Sequence, residues 1–456
     1  MGLPTRLIHQ TAPTTHGTFS SEEEWTVTTN SRQVPSNGFF IPIVGERFDG
    51  HSFIQEVIHS GAKGAFWQHD HPIPEGVPST FALFLVEDTT LALQQLSELY
   101  LEWVGPKVVA ITGSNGKTTT KDLVDALVKE TYHTHKTSGN FNNHIGLPLT
   151  ILSMPQTTEV LILEMGMNHF GEIELLSKIA KPDMSIITNI GESHIEFLGS
   201  RQGIAKAKLE ITAGMKDGFL VIDGDEPLLT ESPFAQSAFK VGYSSTCDWV
   251  ISSVETKTDG TAFTLNGTVY DMPLHGKHNV KNAGLALAIA EQLGVPTEMC
   301  HQALKALKIT GMRFEVLDGL KQTRLINDAY NSSPTSMKAS IETVKSFKGY
   351  NVVGVVLGDM YELGPTEEAL HREVADVIEP PITHLVAIGE KGQWIADEVK
   401  KRGTSLQVTP FLTKEEALPY LETLLGTESL LLFKASRGMK METLVNELRE
   451  KGDSES

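Results

Sequence analysis

At 456 residues the chain is long enough for about three domains, each able to bury its own core, and its 40% hydrophobic and 21% charged content is ordinary for a soluble globular protein. A formal net charge of −19 argues against nucleic acid or an anionic membrane as partner, since both demand a basic face, so an anionic substrate must meet positive charge gathered locally. Two cysteines, Cys247 and Cys300, give neither a disulfide framework nor a metal-ligand spacing. No apolar run approaches a membrane span and residues 1–19 hold no signal-peptide core, so a cytoplasmic protein without membrane insertion is expected.

Residues 1–104 read as a small α/β module. It has an apolar run at 39–41, a helix over 53–60, strands at 64–67 and 81–86, and a closing helix over 89–103. Residues 105–312 alternate strands and helices, as in a parallel sheet covered on both faces, with apolar runs at 160–163 and 184–187. Over 248–273 the pattern changes to period two, with Asp259-Gly260 and Asn266-Gly267 as hairpin signals, and a helix over 280–293 follows. Residues 313–456 alternate again, with strands at 324–326, 352–357, 384–388 and 430–433. This is a doubly wound, Rossmann-like pattern, in which ligands sit at the carboxyl ends of strands. The acidic tail 450–456 reads as frayed.

The most informative stretch is Lys107-Val-Val-Ala-Ile-Thr-Gly-Ser-Asn-Gly-Lys-Thr-Thr-Thr120. It predicts a buried strand over 108–111, a glycine turn, and a helix opening at Gly116 with Leu123, Val124, Leu127 and Val128 on one face. Such a turn binds phosphate, because free backbone N–H groups point at the anion and the glycines allow close approach. Gly113, Ser114, Asn115, Gly116, Lys117, Thr118 and Thr119 are the candidate triphosphate-binding residues. Lys117 would reach the terminal phosphates and the Thr118 hydroxyl would ligate Mg²⁺. The loop is a shortened Gly-x-x-Gly-Lys-Thr form, since Ile111 stands where the strict pattern needs glycine. A turn that merely joins strand to helix is the plain alternative, disfavoured because both flanking elements occur in the right order.

Other strand ends carry further candidates. Glu164 closes a buried strand and suits Mg²⁺, directly or through water; a merely solvated carboxylate is the alternative. His194, after the next strand, is a metal ligand, a phosphate contact or an ordinary surface histidine. Asn140 and Asn143, in a glycine-flanked loop, can bridge substrate oxygens or simply serve turns. In the third block Asp328-Ala-Tyr-Asn331, Ser332-Ser-Pro334, Gly358-Asp-Met-Tyr-Glu-Leu-Gly364 and Lys434-Ala-Ser-Arg437 all follow strands and suggest a substrate face.

Taken in order, Thr112-Gly-Ser-Asn-Gly-Lys-Thr-Thr119, Glu164-Met-Gly166, His194, Gly276-Lys-His-Asn-Val-Lys-Asn282 and Gly311-Met-Arg-Phe314 resemble the Mur ligases, ATP-dependent amide ligases of peptidoglycan assembly. The resemblance implies three α/β domains: an N-terminal UDP-sugar-binding module (1–104), a central P-loop ATPase-like parallel sheet (105–312), and a C-terminal Rossmann-like doubly wound sheet binding the incoming dipeptide (313–456). Asn327-Asp-Ala-Tyr-Asn-Ser-Ser-Pro334, Leu357-Gly-Asp-Met-Tyr-Glu-Leu-Gly364 and Lys434-Ala-Ser-Arg437 look like the member that joins D-alanyl-D-alanine to UDP-N-acetylmuramoyl-tripeptide. Asn327 and Ser333 depart from that pattern, standing where an acidic residue and an amide are expected.

The resemblance also implies residue roles. Lys117, Lys208 and His194 would be catalytic, with Thr118 and Glu164 on one Mg²⁺ and His194 near a second. Asn282 would contact adenine, and Arg313 and Asp328 the rest of the ATP. Asn30-Ser-Arg32 and Gly45-Glu-Arg-Phe-Asp-Gly-His51 look like the family's UDP-sugar-binding segment, with Ser31 and Arg32 as contacts, while Tyr330, Asn331, Lys434, Ser436 and Arg437 would join Asn140 and Asn143 as substrate contacts. Lys208 matches a lysine that related ligases carbamylate, which would turn a cation into a metal ligand; two solvated helix lysines, Lys206 and Lys208, are the alternative. A monomer is expected, with a hinge near 310–314 that closes the third domain on the second. Two alternatives stay open: a sibling ligase adding one amino acid, and a nucleotide-dependent switch that ligates nothing.

Overall fold

The computed structural model describes residues 2–12, 15–19, 22–308, 310–403 and 405–449; the acidic tail 450–456 lies outside them. Three sheets, of six, nine and six strands among the described residues, organise an α/β chain. The chain folds into two compact units. One is formed by Met1–Thr112, Val128–Ser185 and Glu210–Phe219, the other by Gly113–Leu127, Ile186–Leu209 and Leu220–Ser456.

In the first unit, Glu24–Thr28, Gly38–Phe40, Gly64–Gln68 and Ala82–Val86 pair in parallel, with short antiparallel strands at both edges. Aromatic rings fill this sheet's core: Phe39 meets Phe66 edge-on with ring centroids 5.0 Å apart, and Trp25 and Phe84 pack on Phe39. The expected helix over 53–60 is a 3-10 turn, Gly50–Phe53, followed by Ile54–His59. Helix Thr89–Val104 starts where Asp88 accepts the Leu91 N–H (2.8 Å) and stops at left-handed Gly105. Lys107–Thr112 then pairs in parallel with Val160–Glu164, which also carries Thr134–Lys136; residues 108–112 and 160–164 are buried.

In the second unit, Leu123, Val124 and Leu127 are fully buried, as their spacing predicts. The strands Phe239–Gly242 and Trp249–Lys257 run parallel, and Gly260–Leu265 and Thr268–Met272 return as antiparallel hairpins. Asn266 and Gly267 both take positive φ (47° and 85°), the twist a two-residue hairpin turn needs. In the other hairpin Lys257 pairs with Gly260, so the turn lies at Thr258-Asp259, one residue earlier than the signal suggested.

The third sheet has the order Glu315–Asp318, Arg324–Asn327, Ser429–Lys434, Val352–Gly358, His384–Ile388, Gln407–Phe411. Only the first pairing is antiparallel. Successive residues feed opposite faces. Ile326, Val355, Leu385 and Leu432 join Met337 and Ile341 on one side, while Leu325, Val356, Val386 and Leu431 join Leu444 and Val445 on the other. Each such buried aliphatic side chain stabilises by about 2 kcal/mol. The two edge strands, unforeseen in the sequence, close this sheet at either side.

Candidate active site

Two glycines make the loop after Lys107–Thr112 possible. Gly113 and Gly116 have φ 152° and 82°. An added Cβ would stand 1.8 Å from Thr188 Oγ1 at the first and 2.8 Å from the Asn282 amide at the second, so only glycine fits. The segment 188–189 pins the loop. The Ser114 N–H donates to the Asn189 carbonyl (3.1 Å), the Asn115 N–H to Asn189 Oδ1 (3.0 Å), and the Thr188 hydroxyl to the Asn115 carbonyl (2.6 Å). Lys117 opens helix Lys117–Val128, and its ammonium donates back to the Gly113 carbonyl at 2.8 Å. Positive charge therefore lies across a helix N-terminus, where an anion is already favoured. Ser114 Oγ and Asn115 Nδ2 are buried without a protein partner, an uncommon state that a bound polar ligand would relieve.

The rim of the third sheet meets this loop. Arg313 Nη2 donates to the Thr118 hydroxyl (2.8 Å), and the guanidinium lies over the Tyr330 ring, 4.0 Å from its centroid. Asp328 accepts from the Lys434 ammonium (2.6 Å), the Ser340 hydroxyl (2.6 Å) and the Phe314 N–H (3.1 Å). Lys434 is buried and also donates to the Asn331 carbonyl (3.2 Å). Ser333 caps helix Pro334–Lys345 while its hydroxyl donates to Asn115 Oδ1 (3.2 Å), and Thr335 donates to Glu192 (2.8 Å). Ser436 accepts the Tyr361 N–H (2.9 Å), and Arg437 pairs with Glu442 (2.9 Å). The carboxyl ends of three neighbouring parallel strands converge here, the usual place for a ligand in such a sheet.

Lys208, on helix Arg201–Leu209, is fully buried, whereas Lys206 is exposed. Burial drives the Lys208 ammonium well below its ordinary pKa, and the charge of Lys117 pushes the same way. The solvated reading fails for Lys208. His194 Nδ1 lies 2.6 Å from Glu362 Oε2, and its hydrogen bond holds the Glu362 carboxyl below the usual range against the opposing effect of burial. Both side chains border a cavity of about 180 Å³ with Asn331, Ser332, Tyr361 and Arg437.

In the first unit Glu164 is buried in register with Ile111 and accepts from Asn142 Nδ2 at 2.9 Å. The asparagine run therefore divides its work. Asn142, inside the run Asn140-Phe-Asn-Asn143 but not named singly as a candidate, orients the carboxylate; Asn143 Oδ1 accepts the Gly146 N–H (2.8 Å) where helix Gly146–Ser153 begins, and Asn140 is exposed. Ser31 is half-buried and Arg32 exposed, in a turn where Asn30 Oδ1 accepts the Arg32 N–H (3.0 Å).

The Mur ligase middle domain matches residues 111–290, and the Mur ligase, glutamate ligase domain matches 312–437. The UDP-N-acetylmuramoyl-tripeptide–D-alanyl-D-alanine ligase of Bacillus subtilis is 46% identical over 428 residues, 93% of each chain. The chain belongs to the Mur ligase family. MurF from Acinetobacter baumannii has the same fold, with a TM-score of 0.89 at 31% identity over 99% of each chain. The Thermotoga maritima MurF ligase in complex with ADP gives 0.81 at 28%, over 92% of this chain and 96% of that one.

Within this Mur ligase the second unit gathers the loop residues 113–119, Asn282, Arg313, Asp328, Tyr330, Asn331 and Lys434. It adds Thr188, Asn189 and Glu192, which the sequence reading did not single out, and Glu362, which lies inside the stretch 358–364 already read as part of the substrate face. The first three lie in Thr188-Asn-Ile-Gly-Glu-Ser-His194, whose density of polar groups after a buried strand was the available signal; attention went to its histidine alone.

Proposed function

We propose that this Mur ligase uses ATP to join D-alanyl-D-alanine to UDP-N-acetylmuramoyl-tripeptide in peptidoglycan precursor synthesis. The observation that carries the reading is the 46% identity with the Bacillus subtilis ligase across 93% of both chains. The γ-phosphoryl of ATP passes to the terminal carboxylate of the tripeptide, giving an acyl phosphate and ADP. The dipeptide amine attacks that carbonyl, the amide forms, and phosphate leaves. Phosphoryl group and carboxylate repel each other, so cationic groups must be fixed in place before they meet.

Lys117 and the N–H groups of residues 113–116 hold the phosphates, with Thr119 in the first helical turn. Arg313 and Asp328 hold the remainder of the nucleotide, and Asn282, which packs on Gly116, contacts adenine. Thr118 and Glu164 are buried oxygen donors of the kind Mg²⁺ prefers, and His194 is the candidate for a second ion. When bound, Mg²⁺ supplies charge that screens the phosphates. Lys208 is held toward its neutral amine, the form that adds CO₂, and as a carbamate it would offer a further anionic oxygen. Ser31 and Arg32 bind the UDP-sugar, Asn140 and Asn143 border the tripeptide, and Tyr330, Asn331, Lys434, Ser436 and Arg437 receive the dipeptide. The domain division is 1–104, 105–312 and 313–456. No helix among the described residues is long and apolar enough to cross a membrane, and we place the enzyme in the cytoplasm as a monomer.

The test is phosphate release from Mg·ATP with the two substrates supplied singly and together. Release needing both, with a new amide product by mass, is expected. Release with one amino acid on a shorter acceptor would move the protein to a sibling step. Turnover indifferent to either substrate would overturn ligation in favour of a switch.

A further inference from the structure

The cavity of about 180 Å³ at the rim of the third sheet is bordered by a carboxylate, Glu362, that the ligation chemistry above leaves without a role. Arg437 brings a guanidinium to the same walls, alongside His194, Asn331, Ser332 and Tyr361. Ser332 is buried and its hydroxyl has no protein partner, a state that a polar ligand in the cavity would relieve.

Backbone strain marks the same residue. Glu362 and His194 both take left-handed φ (62° and 65°), uncommon for residues with a side chain, and their side chains meet at 2.6 Å. Strain of this kind persists where surrounding bonds hold it, and it concentrates at functional sites. Neighbours hold the Glu362 loop firmly. Asp359 accepts the Lys391 and Gly392 N–H groups (2.9 and 2.8 Å), the Met360 N–H donates to His371 Nε2 (2.9 Å), and the Tyr361 N–H donates to Ser436 Oγ (2.9 Å).

The charges also have a direction. Ser193, on the cavity wall beside His194, donates its hydroxyl to the Ser114 carbonyl (3.4 Å), so the His194 side adjoins the glycine loop. Arg437 Nη1 pairs with Glu442 (2.9 Å), which leaves the guanidinium further N–H donors for a ligand. A carboxylate and a guanidinium on the walls of one cavity suit a zwitterion. D-alanyl-D-alanine is one, and its amine must face the acyl phosphate for the amide to form.

Resting on the ligase reading above, we propose that Glu362 receives the ammonium of the incoming dipeptide while Arg437 receives its carboxylate, so that Glu362 selects a free amine and points it toward the glycine loop. A carboxylate accepts at both oxygens, so Oε1 takes the ammonium while Oε2 keeps His194. The plain alternative is a brace. In it the His194–Glu362 pair only fastens the third sheet's rim to the segment 188–194, as Thr335 and Glu192 do (2.8 Å).

The test compares D-alanyl-D-alanine with N-propionyl-D-alanine, the same molecule with hydrogen in place of the amino group. With Mg·ATP and UDP-N-acetylmuramoyl-tripeptide present, the dipeptide KM and the analogue's Ki as a competitor are measured for the full wild-type chain and Glu362→Gln. The substitution should raise the dipeptide KM on the order of 10–100-fold, the worth of one charge-assisted hydrogen bond. The KM values of ATP and of the tripeptide substrate, and the analogue's Ki, should stay unchanged. Glu362→Asp keeps the charge and suits a left-handed position, so it should recover part of the loss. Thermal melts check that the variants fold. Arg437→Gln gives the same comparison from the other end, since it should raise the KM of the dipeptide but not that of D-alanyl-D-alaninamide. An unaltered dipeptide KM in Glu362→Gln, or an analogue Ki that rises by the same factor, would overturn the assignment in favour of the brace. If the wild type instead ligates a single amino acid, the ligase reading moves to the sibling step. The same comparison, run with that amino acid and its deamino form, still decides Glu362.

Discussion

Lys208 shows what burial does to a single side chain. Its helix reads Ala-Lys-Ala-Lys, and local spacing alone does not say which lysine faces inward. The packing turns Lys208 in, where a charged ammonium is disfavoured, and leaves Lys206 in water. If carbamylation is its role, Lys208→Ala should lower turnover on the order of 100-fold, and acetate or formate should restore part of it. Normal turnover, or no rescue of lost turnover, would remove the carbamate from the mechanism. The Asp328–Lys434 pair is a second case. Each motif was visible in the sequence, but not that the two charges sit 2.6 Å apart with Lys434 buried. Because Asp328→Asn leaves a buried ammonium without its counter-ion, it should destabilise the fold by about 3 kcal/mol in denaturant titrations. Adding Lys434→Met should recover part of that loss, since the two changes act on one interaction.

Elements were legible where their pattern was strong. The strand–turn–helix around Gly113 and Gly116, the closing helix of the first module and the four central strands of the third sheet all lie where period and capping residues place them. Edge strands were not. Gln407–Phe411 contains Pro410, which argues against a strand, yet at the rim of a sheet one N–H need not join a ladder. Glu315–Asp318 is partly exposed along its length and shows no buried run for a period to reveal. The glycine loop at 113–116 gives a prediction at this scale. Gly116→Ala combines a left-handed backbone, a strain of about 1–2 kcal/mol, with a Cβ pressed on Asn282. Nucleotide binding, followed with a fluorescent ATP analogue, should be lost, and the melting temperature should fall. Retained binding would mean that the loop does not need this geometry.

For the whole molecule, buried and half-buried histidines set the acid limit. Burial lowers the pKa of His275, His278, His371 and His384, with His278 down to about 4. These rings stay neutral in the fold while the unfolded chain binds protons near the ordinary value of 6.5. Stability from this source is therefore complete above pH 6.5 and declines as pH falls toward 4, with His278 alone contributing about 3 kcal/mol across that window. Urea titrations at stepped pH should show the decline, and His278→Gln should reduce its slope; equal slopes would refute the assignment. The sequence by itself determined the class of fold, the strand–turn–helix around Gly113 and Gly116 and the family, because period, glycine placement and motif order are local and can be read before any packing is known. Only the tertiary structure decided that Glu362 faces His194, that Ser333 and Glu192 bind the third sheet's rim to the loop segments, and that Asn142 rather than its neighbours holds Glu164. Those pairings join residues far apart in the chain, and the distance between such residues is fixed by how sheets and helices pack.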